Sequence, residues 1–252
     1  FFSVIGGALA VNGWTKAYML YFLIIIAIIF EILFLPGGEP EGAKAPAHAD
    51  APKQNVGRMP ITVYVIAIHY FFFFLWLYVY GSNVSEYIIN TYKLGTSAEA
   101  GLATSLVTGG GIVAGAFFGQ YSKVLKKCTV PFMMGCTIVG LGLPLFCTTN
   151  IIAVYAGGLL NGFAMSGCAP YIMAELGKVA PGPQYAKAMS IFSGFMNLGM
   201  CVAITVIAFI TQLVCGDGSN MHYKFMVGFA GTIICMVTAI PIYVLRKDKE
   251  QA

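Results

Sequence analysis

The stretch GQYSKVLKK, residues 119–127, decides how the rest of the chain is interpreted. It lies between two strongly apolar runs, residues 101–119 and 128–147, and it carries three lysines and no acid. Two apolar runs of membrane length joined by so short a turn predict two antiparallel, neighbouring membrane helices. Because lysine and arginine accumulate on the cytoplasmic side of membrane proteins, the stretch also orients every other apolar run.

The composition of the whole chain agrees with a membrane location. Of its 252 residues 58% are hydrophobic and only 10% are charged, and the mean hydropathy is +0.81. A soluble domain of this size has too few charges here to cover its surface. Several apolar runs are also long enough to cross about 30 Å of hydrocarbon as an α-helix. We therefore predict an all-α integral membrane protein, a polytopic helical bundle.

The seven cysteines lie mostly inside the apolar runs and form no CxxC pair. This distribution predicts small packing residues rather than disulfides or metal ligands. The formal net charge of +4 does not indicate a nucleic-acid partner, because the basic residues stand where membrane topology places them.

The apolar runs divide the chain into four parts. Residues 1–36 hold the last turns of one helix and a complete span at 15–35, and because the chain starts at Phe1 without a methionine, we expect that it continues a longer protein. Residues 37–59, rich in Pro, Ala, Gly and mixed charges, are predicted to be a flexible cytoplasmic linker. Residues 60–245 are predicted to form a six-helix bundle, and residues 246–252 a cytoplasmic tail. The six predicted spans are residues 60–80, 101–119, 129–147, 151–174, 188–213 and 225–245, with a short interfacial helix expected within the connection 81–100.

The distribution of basic residues tests this map. When the connections are assigned to alternate sides, three of the 14 Lys and Arg residues, Lys16, Lys93 and Lys224, fall on one side and all others on the opposite side. So strong an asymmetry makes the second side cytoplasmic, together with the linker and the C-terminus. We expect a multi-pass protein of the cell (inner) membrane.

The basic stretch at residues 119–127 resembles the cytoplasmic loop motif of the major facilitator superfamily of transporters. That motif begins with Gly, continues to an Asp-Arg pair and ends on Gly and basic residues. Gly119, Lys126 and Lys127 fit the pattern, whereas Lys123 and Val124 stand in place of the Asp-Arg pair. Because a lysine stands in place of the Asp, this stretch lacks the acid that makes the motif's gating contact in this family.

Further stretches resemble the same family. Residues 157–175, GGLLNGFAMSGCAPYIMAE, are similar to its Gly-rich tenth helix, which ends at a cytoplasmic Glu. Residues 184–199, QYAKAMSIFSGFMNLG, are similar to the small-residue start of its eleventh helix. Residues 2–7 keep only the trailing Gly-Gly of the fifth-helix motif of antiporters, a hint of export.

The resemblance implies a twelve-helix transporter whose start lies before residue 1. Residues 1–11 would end the fifth helix, residues 15–35 would be the sixth, and the six later spans would be the seventh to twelfth. Substrate would bind between two bundles that rock to expose it to either side in turn. The seventh helix, here residues 60–80, would line the central cavity.

Polar residues inside apolar spans are the best pointers to a transport path, because they are costly in hydrocarbon. His69 lies about halfway along residues 60–80, with aromatic residues at helical spacings near its face. It is interpreted as a residue that binds substrate or couples protons, or else as a histidine bonded to a neighbouring helix. The substrate-binding residues predicted on this span are His69, Phe73, Trp76 and Tyr80.

Three polar residues on other spans complete the predicted substrate site: Thr108, Asn161 and Asn197. Converging near the midplane, they would bind a neutral or amphipathic solute, and an interhelical hydrogen bond is the open alternative for each Asn. Glu175 is predicted to pair with Lys123 or Lys126 as a cytoplasmic gate.

The predicted function is secondary transport of a small organic solute, with proton-coupled export as in bacterial drug and small-solute antiporters. The expected partners are the solute, a coupling proton, the lipid bilayer and an N-terminal bundle of the same protein. No catalytic, cofactor or metal-binding pattern is found, and the histidines (His48, His69, His222) are far apart. The competing interpretation is a seven-helix receptor or sensor without transport activity, and a membrane-embedded enzyme ranks third.

Overall fold

A computed structural model of the protein describes residues 2–11, 22–34 and 58–245. Within these ranges the chain forms eight α-helices, which confirms the predicted all-α membrane bundle. Five continuous helical stretches are long and apolar enough to cross a membrane, and one of them, Ser97–Phe146, contains two of the predicted spans. The helices are α1 (Phe2–Val11), α2 (Phe22–Phe34), α3 (Ile61–Glu86), α4 (Ser97–Leu125), α5 (Thr129–Phe146), α6 (Ile151–Val179), α7 (Pro183–Cys215) and α8 (Met221–Ala239).

All six spans predicted between residues 60 and 245 are present as helices α3 to α8. The predicted linker lies largely, and the predicted tail wholly, outside the described residues, as does the first part of the span 15–35. The division of the chain into bundles, linker and tail therefore stays a prediction.

The prediction of a separate short interfacial helix between residues 81 and 100 is wrong. The chain instead continues α3 to Glu86 and then adds a π-helical turn, Tyr87–Thr91. Helix α4 begins at Ser97 because Thr96 and Glu99 form a capping box. The Thr96 side chain accepts a hydrogen bond from the amide of Ala98, and the Glu99 carboxylate accepts one from the Thr96 amide at 2.7 Å.

The basic stretch at residues 119–127 is helical for most of its length. Since it contains no Gly or Pro after Gly119, α4 runs on to Leu125, and the turn is a single 3-10 segment, Lys126–Cys128. Lys126 takes a positive φ of 46° there, and its carbonyl oxygen accepts a hydrogen bond from the Thr129 hydroxyl at 2.7 Å.

The helices joined by this turn are not close neighbours, contrary to the prediction. Helices α4 and α5 make few contacts with each other, and each packs mainly on α6. The reason is a surface of small residues between α4 and α6. A Cβ atom added at Gly110 would overlap the carbonyl oxygen of Leu159, and one added at Gly162 would overlap that of Val107. Such close backbone approach stabilises helix pairs in lipid, where the hydrophobic effect does not act between helices.

Helix α3 is the central element of the bundle. It packs against α7 along much of its length and also against α8, and it contributes residues to both apolar cores of the described chain. Helix α1 packs against the face of α4, although about 90 residues separate them. Helix α7 is the least covered of the long helices, with many exposed residues along one side.

Candidate functional site

His69, the residue most strongly predicted to bind substrate, lies inside the bundle with only 6% of its surface exposed. Its Nε2 atom is 3.0 Å from the carbonyl oxygen of Cys235 on α8. Because a carbonyl oxygen only accepts, Nε2 carries the proton and donates it. The Tyr243 hydroxyl lies 3.4 Å from Nδ1, which is then free to accept. This geometry favours the interhelical hydrogen bond that the sequence left open, and a role in substrate binding stays a prediction.

The partner Tyr243 is brought to His69 by an irregular turn. After α8 the chain forms a π-helical segment, Ile240–Val244, which contains Pro241. Proline has no amide hydrogen for the regular ladder, and the wider turn re-aims the residues that follow it. The rings of His69 and Tyr243 meet edge to face at 5.5 Å between centroids. Sequence reasoning missed Tyr243, although a proline near the end of the last span was a visible sign of irregular helix.

The other predicted residues of α3 also face helices of the bundle. Phe73 is fully buried, and Trp76, which is half-buried, packs its ring on Gly231 of α8, where a Cβ atom would overlap it. The Tyr80 hydroxyl donates a hydrogen bond of 2.6 Å to the carbonyl oxygen of Val154 on α6. In this arrangement His69 and Trp76 hold α3 against α8, Tyr80 holds it against α6, and Phe73 is part of the apolar core.

Asn161 is likewise buried, with 1% of its surface exposed. Its Nδ2 donates to the carbonyl oxygen of Gly157 one turn earlier, at 2.9 Å, and the side chain faces Gly140 of α5. Its Oδ1 has no hydrogen-bond partner among the described residues. The side chain therefore lies in the contact between α5 and α6.

Thr108 and Asn197 are placed differently, since both are exposed. Asn197 uses Nδ2 to donate to the Ser193 carbonyl at 2.7 Å, which leaves its Oδ1 for another group. Near Thr108, Ser166 of α6 is also exposed, and it touches Gly111 on the next turn of α4. An exposed strip of small and polar residues runs along α7 on either side of Asn197: Ser190, Gly194, Asn197, Cys201 and Thr205.

The spacing of these α7 positions, three or four residues apart, puts them on one face of the helix. The structure thus divides the seven predicted substrate residues into two groups. Five are in contacts within the bundle, and Thr108 and Asn197 are on its surface. The five α7 residues are called the polar strip from here on. Apart from Asn197, neither these residues nor Ser166 were identified from the sequence, because serine, cysteine and threonine within an apolar run carry little signal.

At the lysine-rich end of the bundle, Glu175 is 7% exposed and forms an ion pair with Lys178, at 2.8 Å between Oε1 and Nζ. The two residues are three positions apart on α6, and the Lys178 side chain is 71% exposed. Lys123 and Lys126 are exposed at the end of α4. A gating contact between Glu175 and either lysine stays a prediction, and Lys178 is the partner that the sequence reasoning missed.

At the opposite end of α3, Asn83 is buried and lies 3.4 Å from Lys224 Nζ through its Oδ1. Asp217 is in the turn before α8 and accepts hydrogen bonds from the hydroxyl and the amide of Ser219, at 2.6 and 2.9 Å. These hydrogen bonds, with a smaller contribution from Lys224, lower the pKa of Asp217 below its ordinary value. Lys224 thus contacts the Asn83 amide oxygen and is close enough to the Asp217 carboxylate to influence its pKa.

Comparison with known proteins gives one match. A family model described as the Major Facilitator Superfamily matches residues 66–252, well over half of the chain. No curated protein and no solved structure matches.

Proposed function

Because this chain belongs to the major facilitator superfamily, we propose that it supplies the six-helix bundle on one side of the substrate path in a transporter of a small organic solute. Members of this family are secondary transporters rather than enzymes. Family membership also argues against the seven-helix receptor.

The observation that carries the proposal is the exposed polar strip on α7. Its centre, Asn197, is in the middle of a 33-residue helix, at the depth where lipid tails would surround an exposed side chain. A polar side chain at that depth is costly unless it faces protein or a water-filled cavity. The polar strip therefore supports a water-filled path on this side of the bundle.

Thr108 and Asn197 are the residues that we propose contact the solute directly. Neither carries a charge, and the exposed neighbours Ser166 and Thr205 are also uncharged hydroxyls. A solute recognised by hydroxyls and an amide next to apolar surface is neutral or amphipathic. The five predicted residues that lie in contacts within the bundle would then act by holding the helices that form the wall: His69, Phe73, Trp76, Tyr80 and Asn161.

The packing of α1 on α4 supports a rocking mechanism. By the family resemblance α1 ends the fifth helix, so it belongs to the other bundle, and its contact with α4 joins the two. Helix α1, with the sequence FSVIGGALAV, is apolar except for Ser3. Contacts of this kind have few hydrogen bonds and allow rigid bodies to move against one another, as alternating access requires.

We propose that transport is coupled to protons and directed outwards. The retained Gly-Gly at residues 6 and 7 supports export, through its likeness to the antiporter motif. On this proposal the coupling residue is either His69 or a group outside residues 58–245. The lysine distribution supports a cell-membrane protein with a cytoplasmic C-terminus.

The experiment is transport by the full-length protein in proteoliposomes, with and without an imposed pH gradient, across a panel of small neutral and amphipathic solutes. We expect a flux that follows the gradient and disappears when a protonophore collapses it. In Asn197→Ala the apparent KM for that solute should rise about tenfold, the loss of roughly one strong hydrogen bond.

The matched control is Leu213→Ala, which removes an exposed side chain of the same helix at a position that is not three or four residues from any member of the polar strip. Its KM should equal that of the unaltered protein. A flux that does not depend on the pH gradient would contradict proton coupling but not the proposed substrate face. A KM unchanged in Asn197→Ala and in Thr108→Ala would contradict the proposed substrate face.

A further inference from the structure

The carbonyl oxygen of Ser166 on α6 lacks the hydrogen bond that a regular α-helix would give it. The residue four positions later is Pro170, which lies inside α6 and has no amide hydrogen to donate. Ser166 is exposed and stands at the middle of this 29-residue helix, at the depth of the lipid tails. A backbone oxygen at that depth needs a donor from protein, water or a ligand.

The hydroxyl group of Ser166 is close to α4. Its Oγ atom is 2.5 Å from the position that a Cβ atom would take at Gly111. Thr108, three positions before Gly111, is exposed on the same face of α4. No hydrogen bond joins the hydroxyl of Thr108 or Ser166 to another described residue, whereas the Thr104 hydroxyl donates to the Ala100 carbonyl of its own helix. Two hydroxyls that can bind a ligand thus lie along the contact of α4 with α6.

A third hydroxyl belongs to the same face of α4. Ser105 precedes Thr108 by three positions, and its Oγ atom is buried without a hydrogen-bond partner among the described residues. Leaving a buried hydroxyl unpaired is costly, which favours a bound water or solute group beside it. We call the hydroxyls of Ser105, Thr108 and Ser166, with the Ser166 carbonyl oxygen, the hydroxyl site.

We propose that the hydroxyl site binds a hydrogen-bond donor of the transported solute, either an O–H or an amide N–H, and that the Ser166 carbonyl oxygen is the acceptor. A carbonyl oxygen can only accept, whereas the hydroxyls donate or accept and so adapt to the rest of the solute. The inference rests on the proposed function and narrows its substrate class. A solute without an O–H or N–H group leaves the acceptor unpaired, and the protein should discriminate against it.

The first test measures whether water reaches the hydroxyl site, and it needs no transport. The full-length protein in proteoliposomes is treated with the charged thiol reagent 2-(trimethylammonium)ethyl methanethiosulfonate, and peptide mass spectrometry locates the label. We expect Ser166→Cys to be labelled at the new thiol. Val139→Cys is the matched control, because Val139 is exposed near the middle of α5 among apolar residues and should be surrounded by lipid.

The second test measures the solute group that the site recognises. A solute that gives a flux in the proteoliposome panel is compared with its analogue in which the O–H or N–H is methylated. The KM of the analogue should be about tenfold higher, the loss of roughly one strong hydrogen bond. Whether the O-methyl or the N-methyl analogue shows the increase identifies the donor.

Two variants separate the carbonyl from the hydroxyl of Ser166. Ser166→Ala removes the hydroxyl, and Pro170→Ala supplies an amide donor to the Ser166 carbonyl without changing a hydroxyl. Each should raise the KM of the solute and bring it closer to that of the methylated analogue. The control is Pro144→Ala, which replaces a proline inside α5, and its KM should equal that of the unaltered protein.

Labelling of Ser166→Cys no faster than that of Val139→Cys would overturn the proposal. Equal KM values for the solute and its methylated analogue would also overturn it, as would an increase in KM that Pro144→Ala shares with Pro170→Ala. A panel without any flux would contradict the proposed function, and the labelling test would still decide whether the hydroxyl site is open to water.

Discussion

The imidazole Nε2 of His69 on α3 lies 3.0 Å from the carbonyl oxygen of Cys235 on α8, and this hydrogen bond joins positions 166 residues apart. The same ring accepts from Tyr243 on its other nitrogen. Both nitrogens of a neutral imidazole are thereby satisfied within the bundle. The contact fixes the rotation of α3 about its axis and, with it, the side of α3 that can face a substrate path.

His69→Ala is expected to lower the free energy of unfolding by about 2 kcal/mol, from the lost interhelical hydrogen bond and the cavity left by the ring. The measurement is thermal unfolding of the purified protein in detergent. His222→Ala is the control, because His222 is exposed on the same helix as Cys235. Equal melting temperatures for the two variants would contradict the role that we assign to His69.

The glycines between α4 and α6 give a second prediction. Gly110→Ala and Gly162→Ala each place a methyl group against a backbone carbonyl of the facing helix, which forces the two helices apart. Overpacking of this kind costs about 1–3 kcal/mol. The expected result is a lower melting temperature and a smaller fraction of monodisperse protein on size-exclusion chromatography.

Two glycines of the same helix serve as controls for this prediction. A Cβ atom at Gly109 or Gly115 meets no atom within 4 Å, so replacing either by alanine should leave stability unchanged or raise it slightly through helix propensity. If Gly109→Ala and Gly110→Ala were equally destabilised, close helix approach would not be the cause.

Trp76 and Gly231 give a third prediction, in the form of a double-mutant cycle. Gly231→Ala should be destabilised, because the new methyl group overlaps the indole ring. Adding Trp76→Leu should recover part of that loss, and the two changes should therefore be non-additive by more than about 0.5 kcal/mol. Thermal unfolding of both single variants and the double variant measures the coupling, and strict additivity would show that the residues do not touch.

The spans of this protein were predictable from its sequence because the hydrocarbon demands long apolar helices, and six such runs are visible between residues 60 and 245. The ends of the helices were less predictable. Residues 81–91 are polar enough to suggest a loop but contain no proline, and helix α3 passes through them as far as a π turn. The capping box at Thr96 was the available signal for the start of α4.

The orientation of α3 could not be predicted for a physical reason. The run Phe71–Phe74 surrounds the helix with aromatic rings, so no apolar face distinguishes the interior from the lipid. What selects the interior side is the shape of α8, where Gly228 and Gly231 receive Val79 and Trp76. That fit depends on residues about 150 positions later in the chain, and the sequence pattern of α3 alone carries no trace of it.

The two asparagines predicted as substrate residues should behave differently when each is replaced by alanine. Asn161 is 1% exposed in the contact between α5 and α6, and its Nδ2 already bonds the Gly157 carbonyl, so we expect Asn161→Ala to change stability. The sign depends on two opposed effects: the lost packing is unfavourable, and the removal of an unpartnered buried oxygen is favourable.

Asn197 is exposed, and its Oδ1 is directed away from its own helical bond. Asn197→Ala should therefore change the free energy of unfolding by no more than about 0.5 kcal/mol. The same variant should raise the KM of transport. Thermal unfolding and proteoliposome flux on the same preparations separate the two cases. A raised KM in Asn161→Ala at unchanged stability, with normal transport by Asn197→Ala, would mean that the substrate path lies on the α5 side of α6 rather than along the polar strip.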